Sequence, residues 1–129
     1  MRILVTGTEG YLGSLLAPAL LRRGYEVIGL DTGFYKERML YRDGTATPLT
    51  LAKDLREIEP ADLKGVDAVV HMAELSNDPA GQLAPHITYE INHQGSVRRG
   101  DPFATSDRFL EKRRGIQIAR NSANRSESV

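Results

Sequence analysis

The sequence predicts an α/β protein built on a parallel sheet, and three observations carry the prediction. Short apolar runs rich in β-branched residues recur at 3–5, 26–30, 49–52 and 67–72, separated by helical or turn-forming segments. Such runs suit strands buried on both faces, and their alternation with helical segments builds right-handed βαβ units. Three glycines, Gly7, Gly10 and Gly13, stand between the first run and the first helical pattern. A carboxylate, Asp31, closes the second run 24 residues after Gly7.

Taken in order, Ile3 to Val5 form the first strand, and the glycines follow in the spacing G-x-x-G-x-x-G. Gly7 lets the chain turn sharply out of the strand, and Gly10 lets backbone come close to a pyrophosphate. Gly13 lets the first helix pack on the sheet with its N-terminal amides toward the phosphates. From residue 11 to 23, Leu12, Leu15, Leu16, Ala19 and Leu20 recur on one face, and Gly24 stops the helix. Pro18, inside it, should bend the helix or cost it a hydrogen bond. The second strand, 26–30, ends on Asp31, and 32–48 reads as a long loop with one short helix. A third strand at 49–52 ends near Asp54, and 60–65 looks like a single helical turn stopped by Gly65. The fourth strand, 67–72, is apolar on both faces. Asn77-Asp78-Pro79 opens a loop, and 85–97 is predicted as a helix. The expected strand order is 3-2-1-4, with the ligand at the carboxyl ends of the strands.

Length and composition bound the rest. A chain of 129 residues holds one domain with a real core. It has no cysteine, so neither a disulfide framework nor a thiolate metal site is available. His71, His86 and His93 are too scattered for a metal site. No apolar run has the length of a membrane span, and a strand at the very start leaves no room for a signal peptide, so a soluble cytoplasmic chain is expected. The net charge of zero conceals an asymmetry. Residues 98–129 carry eight Lys/Arg against four acids, leaving the first 97 residues with a net charge of −4. Two segments are expected: a dinucleotide-binding half-domain at 1–97, and a basic tail at 98–129 that is disordered or aberrant. A shifted reading frame would explain the abrupt loss of pattern, and a natural basic tail is the alternative. With nothing of strand quality after residue 72 except 116–119, the outer edge of the fourth strand should lie unpaired and favour self-association.

The acid at the end of the second strand indicates the cofactor. A carboxylate there accepts hydrogen bonds from the adenosine ribose hydroxyls and repels a 2′-phosphate. Thr32 follows it, with no arginine next to Asp31 to receive that phosphate, so NAD is favoured over NADP. Thr6-Gly7-Thr8-Glu9-Gly10-Tyr11-Leu12-Gly13, Asp31, Asp54-Leu55, His71-Met72-Ala73-Glu74 and Asn92, in that order, resemble the extended short-chain dehydrogenase/reductases. More narrowly, residues 1–97 resemble the NAD-dependent epimerase/dehydratase group that acts on nucleotide sugars. The resemblance implies a Rossmann-type sheet with helices on both faces, here truncated. It implies that Asp54 and Leu55 flank the adenine and that Ala73 lies along the cofactor. Asn92 would help to fix the helix beside it. The cofactor-binding set is then Gly7, Glu9, Gly10, Tyr11, Leu12, Gly13, Asp31, Asp54, Leu55, Met72, Ala73, Glu74 and Asn92. His71, on a buried strand, reads as a satisfied structural histidine.

Catalysis in that family resembles hydride transfer assisted by a tyrosine and a lysine four residues later. No Tyr-x-x-x-Lys occurs in the sequence. The nearest echo, Pro102 to Asp107, has Phe103 and Asp107 where the tyrosine and lysine would stand, and neither residue can do their chemistry. No catalytic residue is therefore assigned. The leading reading is the NAD-binding portion of a nucleotide-sugar epimerase or dehydratase, inactive by itself. A nucleotide sugar would bind only if the missing half were supplied, and homo-oligomers would cover exposed apolar surface. The alternative is a non-catalytic NAD-binding sensor or partner module. A basic-tailed nucleic-acid binder is disfavoured, because the tail lacks aromatic interleaving or a known module.

Overall fold

The computed structural model describes residues 1–38, 46–76, 78–96, 108–113 and 116–121. Strand β1 (Arg2–Thr6) leads into helix α1 (Tyr11–Arg22) and then β2 (Glu26–Asp31). After one 3₁₀ turn at Lys36–Arg38 come β3 (Leu49–Ala52), two more 3₁₀ turns at Leu55–Glu57 and Pro60–Leu63, and β4 (Ala68–His71). Helices α2 (Asp78–Leu83) and α3 (Pro85–Tyr89) run into a π-helical turn at Glu90–Gln94, and β5 (Arg108–Arg113) and β6 (Ile116–Asn121) complete the set.

The first four strands are all parallel in the order 3-2-1-4, as the sequence predicts. β1 lies in the middle, Leu4 opposite Ile28 on one side and Val69 on the other, which is why Ile3, Leu4 and Val5 are all buried. Alternate side chains feed two cores. Ile3, Val5 and Val27 pack with Ala17 beneath α1. Leu4, Leu30 and Val69 pack on the opposite face with Leu55, Ile58, Leu63 and Val66 from the 3₁₀ segment. Helices on both faces are thus replaced in part by 3₁₀ turns, which supply buried apolar side chains in few residues.

The helix expected over 11–23 is α1, with a buried Pro18 inside it. Other expectations change in detail. The single helix expected over 85–97 is divided. A first short helix begins at Asp78, where a loop was expected, and Gly95 closes the π turn by donating its N–H to Glu90 O at 2.8 Å. The larger correction concerns the edge of β4. It is not left unpaired: β6 runs antiparallel along it, with Val70 opposite Ile118, and β5 pairs with β6. The backbone of Ile116-Gln117-Ile118-Ala119 pairs with the open groups of β4, and its two isoleucines suit an extended strand despite the basic flanks. Both β5 and β6 fall within the segment 98–129. Residues 39–45, Asn77 and the stretch 102–107 with its Phe103 and Asp107 lie outside the described residues.

Candidate functional site

The carboxyl ends of β1, β2 and β4 meet at one end of the sheet, and the glycine turn is built there. Gly7 has φ +75° and donates its N–H to Leu30 O at 2.8 Å, joining the β1 and β2 ends. A Cβ at Gly7 would stand 2.7 Å from Met72 O, so β4 closes in where only glycine fits. At Gly13 a Cβ would collide with the Gly7 carbonyl oxygen and reach 2.7 Å from Thr8 Cα, so the first turn of α1 sits directly on the loop. Gly10 differs from both. Its φ of −79° suits any residue, and a Cβ there would meet only Gly7 O, at 3.3 Å. Two of the glycines are demanded by the fold, and the third keeps space open toward the cleft.

Asp31, at the end of β2, is held on both oxygens. Oδ2 accepts from Glu9 N at 2.9 Å and Oδ1 from Gly33 N at 2.8 Å. Each oxygen keeps a lone-pair site for a further donor. Asp54 caps the next turn, accepting from Arg56 N, and Arg56 grips it through Nε and Nη2. The hydrogen-bonded Arg56 guanidinium holds the Asp54 carboxyl below the usual carboxylate range. Lys53 is tied to Asp62 at 2.7 Å and Glu59 at 3.4 Å, which fixes the 3₁₀ turn at Pro60–Leu63 against the end of β3.

On the opposite side, Thr6 Oγ1 accepts from Met72 N at 3.1 Å and Ala73 N at 3.2 Å, and lies 2.7 Å from His71 Nδ1. His71 Nε2 is 2.8 Å from Ser96 Oγ. Burial pushes the imidazole pKa down to about 4, so the ring is neutral at pH 7. Asn92 binds Leu75 twice, its Oδ1 accepting from Leu75 N at 2.8 Å and its Nδ2 donating to Leu75 O at 2.9 Å.

These pieces line an open cleft of about 100 Å³. It gathers eight of the residues selected from sequence: Gly7, Gly10, Asp31, Asp54, Leu55, Met72, Ala73 and Glu74. Five others are placed differently. Glu9 contributes its backbone N–H to Asp31, Gly13 packs under the turn, and Asn92 acts from behind through Leu75. Tyr11 and Leu12 lie exposed on the first turn of α1 and do not line the cleft. Sequence reasoning missed Leu30, Thr32, Phe34, Tyr35, Lys53, Leu75 and Ile91, all of which do line it. The exposed aromatic pair Phe34-Tyr35, beginning three residues past Asp31, was the one signal that pointed there. Among the described residues, no three His, Asp or Glu side chains gather as a metal ion would require.

A cleft at the carboxyl ends of parallel strands, with a glycine turn at the start of a helix and an acid on the second strand, suits a dinucleotide. Comparison with known proteins agrees with that geometry. The chain is 28% identical to a UDP-glucose 4-epimerase of Klebsiella pneumoniae over 106 residues, 76% of each chain. It resembles a solved NAD-dependent NDP-hexosamine 5,6-dehydratase of tunicamycin biosynthesis at 35% identity and a TM-score of 0.60, covering 69% of this chain and 28% of that one. With the Thermus thermophilus UDP-glucose 4-epimerase, solved in complex with NAD, the identity is 30%, the TM-score 0.61 and the coverage 74% and 31%. The chain thus spans less than a third of the solved relatives' length. The model of the NAD-dependent epimerase/dehydratase family matches residues 3–99, the part that builds the glycine turn, the acid and the cleft, and to that family this chain belongs.

Proposed function

We propose that this chain is the NAD-binding portion of a nucleotide-sugar epimerase or dehydratase, with residues 1–97 as its cofactor-binding unit. The observation that carries the reading is Asp31, whose carboxylate is locked by two backbone N–H groups at the rim of the cleft that Gly10 keeps open. The residues present fit the cofactor. Gly10 leaves room for a pyrophosphate beside the start of α1, and Asp31 retains acceptor capacity for two ribose hydroxyls. Asp54 and Leu55 would border the adenine, and Met72, Ala73 and Glu74 the nicotinamide end. When bound, NAD supplies a hydride acceptor. This chain's residues bind and orient it, and the Asp31 carboxylate repels a 2′-phosphate, which favours NAD over NADP.

No Tyr-x-x-x-Lys is present to move the substrate proton, so turnover of a nucleotide sugar requires those groups from outside these 129 residues. Titration of the purified chain with NAD, NADP and NAD plus UDP-glucose tests the reading. Saturable NAD binding, weaker NADP binding and no turnover are expected. Equal affinity for the two dinucleotides would remove Asp31 from the ribose, and no binding of either would end the proposal. A non-catalytic sensor module is the second reading, favoured by the same absent pair. It predicts NAD affinity that stays indifferent to nucleotide sugar even when the missing half is supplied, where the first reading predicts binding and turnover.

A further inference from the structure

The bonds at Thr6, His71, Ser96 and Asn92 fit together in one arrangement of protons. The two lone pairs of Thr6 Oγ1 are taken by the N–H groups of Met72 and Ala73. Its own proton must therefore go to His71 Nδ1, 2.7 Å away, which makes that nitrogen an acceptor. The neutral ring then carries its proton on Nε2 and donates it to Ser96 Oγ at 2.8 Å. Ser96 in turn donates to Asn92 O at 2.9 Å, and the Asn92 side chain holds Leu75 by both backbone groups. The circuit starts at residues 72 and 73 of the cleft wall and ends at residue 75 of the same wall.

We infer that His71 is a positioning residue for the cofactor cleft: through Thr6 on one ring nitrogen and Ser96 with Asn92 on the other, one buried imidazole holds the whole wall from Met72 to Leu75. The inference deepens the proposed function and rests on the reading of the cleft as a dinucleotide site. Its physical content is coupling. Hydrogen bonds in a buried chain polarise one another, so a loss at one end is felt at the other. Thr6 and His71 are register partners of adjacent strands, and Ser96 is delivered by the π turn, so the circuit ties the sheet to the helical segment behind it.

The test uses the full chain labelled with ¹⁵N. In the wild type, the ring-nitrogen shifts of His71 should report the Nε2–H tautomer at pH 7, and an Nδ1–H tautomer would overturn the inference without any variant. Ser96→Ala removes the link between His71 and Asn92 and leaves the bonds at Thr6 and at Leu75 in place. It should accelerate amide exchange at Leu75 and also at Met72 and Ala73, by about tenfold, the scale of one buried hydrogen bond. NAD affinity should fall by a similar factor, and Ser96→Thr, which keeps the hydroxyl, should restore both. Faster exchange at Leu75 alone, or at none of the three amides, would refute the coupling. If Ser96→Ala does not fold, the wild-type tautomer still decides the question. Failure of the wild type to bind NAD would sink the proposed function, while the tautomer and exchange measurements would still judge the circuit.

Discussion

The three glycines of the turn should separate into two kinds when substituted. Gly10→Val introduces a side chain where the backbone already has ordinary angles and where a Cβ meets only Gly7 O, at 3.3 Å. The fold loses a preferred helix-cap residue and little else, at a cost of about 1 kcal/mol. For a domain of this size that lowers Tm by roughly 4 °C. The two added methyl groups lie in the space assigned to the pyrophosphate, so NAD affinity should fall at least tenfold, about 1.4 kcal/mol. Gly13→Ala behaves oppositely. Its Cβ would press on the Gly7 carbonyl and on Thr8 Cα at 2.7 Å, both of them backbone that no rotamer change can move. Overpacking of that kind costs about 1–3 kcal/mol. Gly7→Ala adds the strain of φ +75° to a contact of 2.7 Å with Met72 O, and should be the least stable of the three. Thermal unfolding without ligand and NAD titration at a temperature where all three are folded give the two readouts. If Gly10→Val binds NAD as the wild type does, the cleft does not hold the pyrophosphate beside Gly10 and the reasoning fails.

Three further outcomes follow from the same geometry. Asp31→Ala should weaken NAD by about 1–3 kcal/mol, the scale of hydrogen bonds to a charged group, and narrow the preference over NADP; calorimetric titration with both dinucleotides checks it. Phe34 is 68% exposed at the cleft, so Phe34→Ala should leave stability within about 0.5 kcal/mol of the wild type while reducing NAD affinity severalfold, and equal affinity would exclude the aromatic from binding. Because burial holds the folded His71 pKa near 4 against an ordinary 6.5, the unfolded chain takes up a proton first as pH falls. Stability should therefore drop by about 2 kcal/mol from this group between pH 6.5 and 5, and His71→Asn should flatten that part of a Tm-against-pH curve.

What the sequence determined by itself was local in origin. Gly7, Gly10 and Gly13 lie within seven residues, and the requirement for a tight turn into a helix is met inside that span, so strand, turn and helix could be read directly. Asp31 was readable for the same reason, since it ends an apolar run whose neighbours in the sheet need not be known. The parallel order 3-2-1-4 followed because apolar strands separated by crossovers have few allowed arrangements. Tertiary structure decided the rest. Which glycines serve the fold and which the cleft depends on where Met72 O and Thr8 lie relative to them, and that is set by packing of β4 and α1. The partnership of Thr6 with His71 spans 65 residues and exists only because β1 and β4 pair in one register. The pairing of β6 with β4 was only half legible, since 116–119 stood out as strand-like but its basic flanks argued against a place at that edge. A strand edge accepts any extended backbone through N–H and C=O groups common to all residues, so the basic side chains around Ile116 and Ile118 revealed composition but not the partner.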